Sequence, residues 1–442
     1  MKQNKYFSIA ILCFALNVSA QTPWSLSQCI EHAVSHNISV QQYQNQQQRQ
    51  EVQLSTARNQ RLPDLSASAN QNFSFGRGLT VDNTYTNRST SSTSFSLGTS
   101  VPLFTGFRIP NNIALNRLNL QAATADLEKA KNDIRMQVAQ AYVQILYNME
   151  LSEVAQRQIA IDSAQVARLQ ALLNLGKASE AQLSQQRATL AQSRLTATQA
   201  DNNTNLSLLT LSQLLELSSP EGFAIQKPQL TESFQADTES LPAPDVIFAE
   251  VMTARPEVEA AMLRLQMANK NISLAQADYY PTLSLSAGMG SNYYKTSGVA
   301  ATSFHSQMKN NFSQYIGLNL NVPIFSRFQT RNNVRSARLD YRNQQLTLDN
   351  TKKQLYKEIQ QAYYNTIAAG QKLKSCQQAQ ESSADAFRLM TAKYEQGKAN
   401  MTEFNESKNA YLKAESDLTT ARYEYLYQTA LIRFYRGKEL TF

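Results

Sequence analysis

Glycine and proline are scarce in this chain of 442 residues, at 13 and 11, which argues against a loop-rich catalytic scaffold and for long uninterrupted helices. Cysteine is scarcer still. Of three, Cys13 lies in an apolar N-terminal stretch, leaving Cys29 and Cys376, too few and too far apart for a disulfide framework. Two readings of that pair stand: small buried apolar side chains, or one bridge formed in an oxidising compartment. Histidine is nearly absent. His32 and His36 are four apart, a spacing that suits zinc on one helical face, yet neither a His-Glu-x-x-His motif nor a third ligand accompanies them, so no metal site is expected. No Walker loop, dinucleotide fingerprint or nucleophile elbow occurs, so no cofactor, catalytic residue or enzymatic turnover is expected. The formal charge is +8, but lysine and arginine are scattered among acidic residues without a basic patch, which argues against a nucleic-acid partner.

What is present begins with an address. Lys2 and Lys5, an apolar run from Tyr6 to Leu16 and the small-residue site Val18-Ser19-Ala20 read as a signal peptide over residues 1–20. The run is shorter than the ~20 apolar residues of a membrane span. Lipidation at Cys13 is not expected, because Leu12 replaces the small residue required before it and the apolar run continues past it. Export is the expected outcome.

The mature chain says nearly the same thing twice. Ser100-Val101-Pro102-Leu103-Phe104 returns as Asn321-Val322-Pro323-Ile324-Phe325, a shift of 323 − 102 = 221 residues. The same shift carries Asn111-Asn112 to Asn332-Asn333, Ala141-Tyr142 to Ala362-Tyr363 and Gly176-Lys177 to Gly397-Lys398. Leu62-Pro63-Asp64-Leu65 and Tyr280-Pro281-Thr282-Leu283 match at 281 − 63 = 218, so a loop between the two blocks differs in length. Duplication of a structural unit follows. The first repeat is expected over 21–216, with a helix near 28–60, strands about 65–76 and 92–104, a long helix about 112–173 and a helix about 179–216. The second is expected over 244–442, with a helix about 244–279, strands about 282–294 and 312–325, a long helix about 332–395 and a helix about 402–435. A connecting segment, 217–243, joins them.

Each proline-free stretch allows one helix of roughly 60 residues and ~90 Å. Leu348, Leu355, Ala362, Ala369 and Cys376 recur every seven residues, with Ile359, Thr366 and Leu373 at the complementary spacing. Ile134, Val138, Ala141 and Ile145 repeat the pattern. These are coiled-coil seams with small, partly polar knobs, suited to close contacts in a layered assembly. A rod paired with a single partner is the alternative.

The strand segments alternate with period two. Leu65, Ala67, Ala69, Phe73 and Phe75 share one face, as do Ile316, Leu318, Leu320, Val322 and Ile324, against serines and asparagines on the other. A half-buried soluble sheet alternates too. With a signal peptide and strand lengths near the ~9–11 residues a bilayer needs, the pattern points to outer-membrane strands with one face to lipid. Four strands cannot close a barrel, and open edges cannot face lipid. Two chains would make a narrow eight-stranded barrel, and three a 12-stranded one with room for water; the serine-lined inner face favours three.

The Trp24-Ser25-Leu26 to Asn37 opening, the twin Val-Pro-[Leu/Ile]-Phe strand ends at Pro102 and Pro323, and the turns Leu175-Gly176-Lys177-Ala178-Ser179 and Gln396-Gly397-Lys398-Ala399-Asn400 resemble the TolC family of outer-membrane efflux and secretion channels. The resemblance covers essentially the whole mature chain. It implies a mainly α fold with membrane β: a homotrimeric α-helical coiled-coil barrel in the periplasm, continuous with the β-barrel in outer-membrane lipid. It also implies a periplasmic adaptor and an inner-membrane transporter as partners, with helix tips Gly176, Lys177, Gly397 and Lys398 at the docking end. Two acidic residues after the second turn are a family feature, lining the constriction; Glu403 and Glu406 match them, and Tyr394 matches an aromatic that helps hold the closed state. Six such carboxylates in a trimer would attract cations. A second reading of the two glutamates is that they stabilise a helix N-terminus by ~0.3–1 kcal/mol. In one respect the chain departs from the family. A basic residue two after the second-turn glycine normally bonds an acidic residue six after the first, and Ala399 and Gln182 stand there instead; Lys177 or Lys398 with Glu180 is the expected substitute. A passive export duct is the favoured function, and an adhesive or structural trimeric coiled coil anchored in the membrane is the alternative, disfavoured because each strand pair interrupts a helical run.

Overall fold

The computed structural model describes residues 23–79, 83–228 and 241–441. The expected signal peptide, and residues 229–240 of the expected connection, lie outside them. The first half of the chain forms α1 (Leu26–His36), α2 (Ile38–Asn59), β1 (Asp64–Leu79), β2 (Tyr85–Thr105), α3 (Arg108–Asn174) and α4 (Glu180–Leu214). The second forms α5 (Pro244–Val251), α6 (Pro256–Gln276), β3 (Thr282–Thr296), α7 (Phe304–Asn310), β4 (Ser313–Asn321), α8 (Gln329–Glu395) and α9 (Met401–Tyr435).

The repeat is written into the element bounds. α3 and α8 have 67 residues each and α4 and α9 have 35 each. Their first residues are 221 apart (329 − 108 and 401 − 180), whereas α1/α5, α2/α6 and β1/β3 begin 218 apart (244 − 26, 256 − 38, 282 − 64). Left-handed backbone recurs in the same register. Gly106 and Phe107, at φ 60 and 65, answer Arg327 and Phe328, at 52 and 62; Gly176 answers Gly397, and Glu216 answers Gly437. The backbone conformation is common to both copies even where the side chain is not.

Several elements differ from the sequence expectation for local reasons. The expected helix at 28–60 is two helices, because Asn37 leaves the helical region at φ −60, ψ 130. Its amide donates to the Leu214 carbonyl at 3.1 Å, and the Ile38 N–H donates to Glu216 Oε1 at 3.2 Å. The helix expected over 244–279 breaks ahead of Pro256, which sits at the start of α6, where its missing N–H costs nothing. α7 occupies a stretch expected to be loop, with Ser303 accepting from the Ser306 N–H at its start. β2 begins at Tyr85 instead of about 92, and β4 stops at Asn321 instead of about 325. β2 runs on past Ser100, the last residue opposite β1, because β3 still pairs with it as far as Thr105. Among the described residues β4 has β3 on one side only, so residues 322–325 have no ladder to join.

Compact packing divides the described residues into two units that cut across the halves: those within 39–131 and 248–358, and those within 1–38, 132–247 and 359–442. The first of these holds an antiparallel sheet in the order β1-β2-β3-β4. Ala67, Leu97 and Met289 are cross-strand neighbours on one face, and Ser68, Ser96 and Gly290 on the other. The apolar face is uncovered in the chain: Leu65, Phe75, Ile316 and Leu318 are 74, 78, 81 and 68% exposed. At the end of β2, Pro102 pairs with Ser284 and Phe104 with Leu283, so Leu103 bulges out of the ladder. Past it, Arg108 forms an ion pair with Asp278, and Phe107 packs edge-on against Phe104 and Tyr280.

The second unit is helical. Ile359, Ala362, Thr366, Ala369 and Leu373 are buried along α8 and Ile134, Val138 and Ile145 along α3, the seam positions read from the heptads. Ala369 and Leu373 pack against Ala421 and Tyr425 of α9. Thr366 satisfies its buried hydroxyl by donating to the Ala362 carbonyl at 2.8 Å. Near the chain start Trp24 forms a parallel bridge with Ile225, and the Tyr142 hydroxyl donates to Gln226 O and Trp24 O. No described helix is long and apolar enough to cross a membrane.

Two predictions follow from this packing. A Cβ on Gly106 would lie 2.6 Å from the Ala277 carbonyl oxygen, so Gly106→Ala lowers the thermal midpoint, whereas Arg327→Gly relieves the same left-handed strain and stabilises by about 1 kcal/mol. Along the α8 seam, Leu373→Ala costs about 2–5 kcal/mol in detergent-solubilised unfolding, while Thr366→Val stays within about 1 kcal/mol of wild type.

Candidate functional site: the helix tips

Both long helices end in the same way. Gly176 and Gly397 take φ 72 and 70, a conformation that costs glycine little. Gly176 N–H donates to Leu173 O and Lys177 N–H to Leu172 O, each at 2.8 Å; Gly397 and Lys398 repeat this with Tyr394 O and Lys393 O at 3.1 and 2.8 Å. Each is a Schellman stop. After the turn, Ser179 and Asn400 cap α4 and α9, and each cap is reciprocated three residues on, by Gln182 and by Glu403. Lys177 and Lys398 are exposed on the turns.

Glu403 therefore has a structural employment: one of its oxygens accepts the Asn400 N–H at 2.9 Å. Glu403 and Glu406 are both exposed, one helical turn apart, so capping leaves two carboxylates presented to solvent. Gln182, which the family pattern would make acidic, accepts the Ser179 N–H and completes the cap of the first tip. Among the described residues, neither Lys177 nor Lys398 is ion-paired with Glu180.

Tyr394 is half-buried against an aromatic column. Its ring stacks on Phe404 at 4.8 Å between centroids, Phe404 meets Phe387, and Phe387 stacks on Tyr411 at 5.5 Å. The Arg168 guanidinium of α3 sits 4.7 Å over the Tyr394 ring and reaches the carbonyls of Tyr394 and Glu395 at 3.4 and 3.3 Å. Such a cation over an aromatic face is worth about 0.5–2 kcal/mol. Burial pushes the Tyr394 hydroxyl above its ordinary pKa, with Arg168 opposing, so the ring stays neutral. Arg168 thus ties the first long helix to the end of the second, a contact the sequence reading missed.

Deeper along the same helices lies a charged cluster the sequence reading also missed. Lys408 of α9 and Asp162 of α3 form an ion pair, with both side chains fully buried. Gln186 and Ser193 of α4 donate to the same carboxylate at 3.1 and 2.6 Å. The signal was a charge inside an apolar stripe. Lys408 stands between buried Phe404 and Leu412, and Asp162 stands seven residues from buried Ala155 and Leu169. Farther along, Arg157 pairs with Glu415 at 2.7 Å.

The remaining candidates resolve simply. Cys29 and Cys376 are free thiols, and burial pushes that of Cys29 up to about 12. His32 and His36 stack on each other at 4.1 Å, and no group of three or more possible metal ligands occurs among the described residues. Pro102 lies inside β2 and Pro323 just beyond β4.

Residues 29–216 and 249–437, most of both repeats, match the family described as outer membrane efflux protein. The chain is 27% identical to the outer membrane protein TolC of Vibrio cholerae over 175 residues, 39% of each chain. It is 23% identical to TolC of Escherichia coli over 297 residues, 66% of this chain and 58% of that one. Both alignments span less than two thirds of the relative's length. Among solved structures, the outer membrane protein VceC of Vibrio cholerae superimposes with a TM-score of 0.76 at 19% identity, over 94% of this chain and 97% of that one. With both repeats matched, this chain belongs to the outer membrane efflux protein family.

Proposed function

We propose that the chain is one third of a trimeric export duct, through which an inner-membrane transporter, joined by a periplasmic adaptor, passes small molecules, metal ions or proteins outward. The observation that carries this reading is the sheet. Its apolar face is exposed and its outer strands β1 and β4 each have one unpaired edge, and such edges are not tolerated in lipid. Joining β4 of one copy to β1 of the next removes both edges, and three copies of four strands give a 12-stranded barrel, wide enough for water. The polar face of Ser68, Ser96 and Ser286 then lines the passage. Val322, Ile324 and Phe325, exposed at 54, 94 and 71% beyond β4, gain the neighbour they lack.

The helical tips are the periplasmic end of the duct. Glu403 and Glu406 line its constriction, and Tyr394 with Arg168 holds the tip in its narrow arrangement. The turns at Gly176-Lys177 and Gly397-Lys398, projecting as tight stops with exposed lysines, are the adaptor's docking points. Pro102 and Pro323 mark where strand gives way to helix. The duct needs no catalytic group, because the transporter supplies the energy and selects the cargo.

Single-channel recording of the purified protein in planar bilayers tests this reading. Wild type is expected to show a small cation-selective conductance that divalent ions block. Glu403→Gln/Glu406→Gln keeps the cap, since Gln182 does the same work in the first tip, and is expected to lose block and selectivity. Conductance indifferent to the substitutions removes the gate assignment; no conductance under any opening condition returns the chain to the anchored coiled-coil reading.

A further inference from the structure

The connection between β3 and β4 does more than join two strands. β3 runs on to Thr296, whereas β4 begins at Ser313, opposite Gly290, so residues 291–296 have β2 on one side and no described strand on the other. α7 takes the place of that strand. Gln307 accepts the Tyr294 N–H at 2.9 Å and donates to the Tyr294 carbonyl at 3.0 Å, and Asn311 donates to the Asn292 carbonyl at 2.7 Å. Side-chain amides thus supply ladder groups that the edge would otherwise lack. The same helix lies on the apolar side of the sheet. Ser291 and Tyr293 belong to the alternate series that carries Leu285 and Met289; the Ser291 hydroxyl donates to the Met308 carbonyl at 2.7 Å, and the Tyr293 ring meets Phe304 at 5.2 Å. Between helix and sheet a cleft remains, lined by Ala67, Phe95, Leu97, Met289, Met308 and Phe312.

Beside this apolar cleft the charge is of one sign. Residues 279–339 contain no aspartate or glutamate. Lys295 follows Tyr294, the residue that Gln307 holds, and continues the apolar-face series; Lys309 stands two residues past Gln307, with His305 one turn before it, and all three are exposed. No carboxylate of their own connection neutralises them. We propose that the cleft and the two lysines bind a phosphorylated glycolipid of the outer leaflet, of the lipid A class, on the outside of each third of the barrel. One acyl chain lies along Met289, Met308 and Phe312, and a phosphate sits at Lys295 and Lys309. This rests on the duct reading, which puts the apolar face in lipid and the β3–β4 connection at the end of the barrel away from the periplasmic helices. A free anion has no use for the apolar cleft, and a neutral lipid leaves two ammonium groups unmatched at the border of hydrocarbon; a lipid phosphate answers both. Because Gln307 and Asn311 already hold α7 in place, the cleft is formed before the lipid arrives, and little ordering opposes binding.

The full-length trimer in detergent micelles, titrated with lipid A and followed by native mass spectrometry, gives the test. Wild type is expected to retain the lipid at low salt, and Lys295→Gln/Lys309→Gln to bind it about 25-fold more weakly, roughly fivefold for each lysine. Met308→Trp, which fills the cleft and leaves both lysines, is expected to weaken retention several-fold. Dephosphorylated lipid A is expected to bind wild type no better than lipid A binds the lysine variant. Equal retention of lipid A by wild type and the lysine variant overturns the site. So does displacement of bound lipid A by an equal concentration of inorganic phosphate, which would leave an anion site alone. If the lysine variant does not assemble, the wild-type comparison decides, and equal binding of the phosphorylated and dephosphorylated lipids overturns the inference. Bilayer recordings of the same preparation separate the two readings: a wild type that conducts but does not distinguish the lipids overturns this site only, whereas one that never conducts overturns the duct and the site with it.

Discussion

A sheet with two free edges cannot stand alone in hydrocarbon. Every backbone N–H and C=O in a bilayer core needs a protein partner, because no water is there to replace one. β1 and β4 each leave one row of such groups unpaired, and the exposed leucines, isoleucines and phenylalanines beside them are equally out of place in water. Lipid satisfies the side chains, and only another strand satisfies the edges. In the proposed trimer the rest of the molecule depends on this constraint, since a sheet closed by copies of itself would draw the helices that continue from it into the same cyclic arrangement.

The helical seams suit such an arrangement, because they are built for many neighbours. Alanine, threonine and cysteine alternate with leucine and isoleucine along α8, and small knobs permit closer approach than a leucine zipper would. Polar residues are admitted where they can be satisfied locally, as Thr366 is by the carbonyl one turn back. The Asp162–Lys408 pair is the exception. Charges buried in a helical seam add little net stability compared with apolar packing, but they make alternative registers expensive, because any slip leaves both without a partner.

Much of the fold was legible in the residues. The absence of proline, with the twin glycines that end each long stretch, located both 67-residue helices to within a few positions, and the heptads named the buried seam. The stops at Gly176 and Gly397 could be read at their positions. Three things were hidden. The break at Asn37 depends on a carbonyl and a carboxylate about 180 positions away in the chain. The early end of β4 reflects a missing neighbour strand, which no local pattern encodes. The role of Glu403 as a cap became clear only when its oxygen was placed beside the Asn400 N–H.

The sequence by itself determined the duplication, its 221- and 218-residue registers, and the helical and strand periods, because these follow from local spacing and backbone preference. Membership of an outer-membrane efflux family follows from the same pattern. Only the tertiary structure decided which polar seam residues meet. Asp162 and Lys408 are 246 residues apart, on helices from different repeats. Helix packing brings them together, while the duplicated positions hold serine and arginine. A repeat fixes equivalent backbone positions, and the side chains at a shared contact then decide how far the two seams differ.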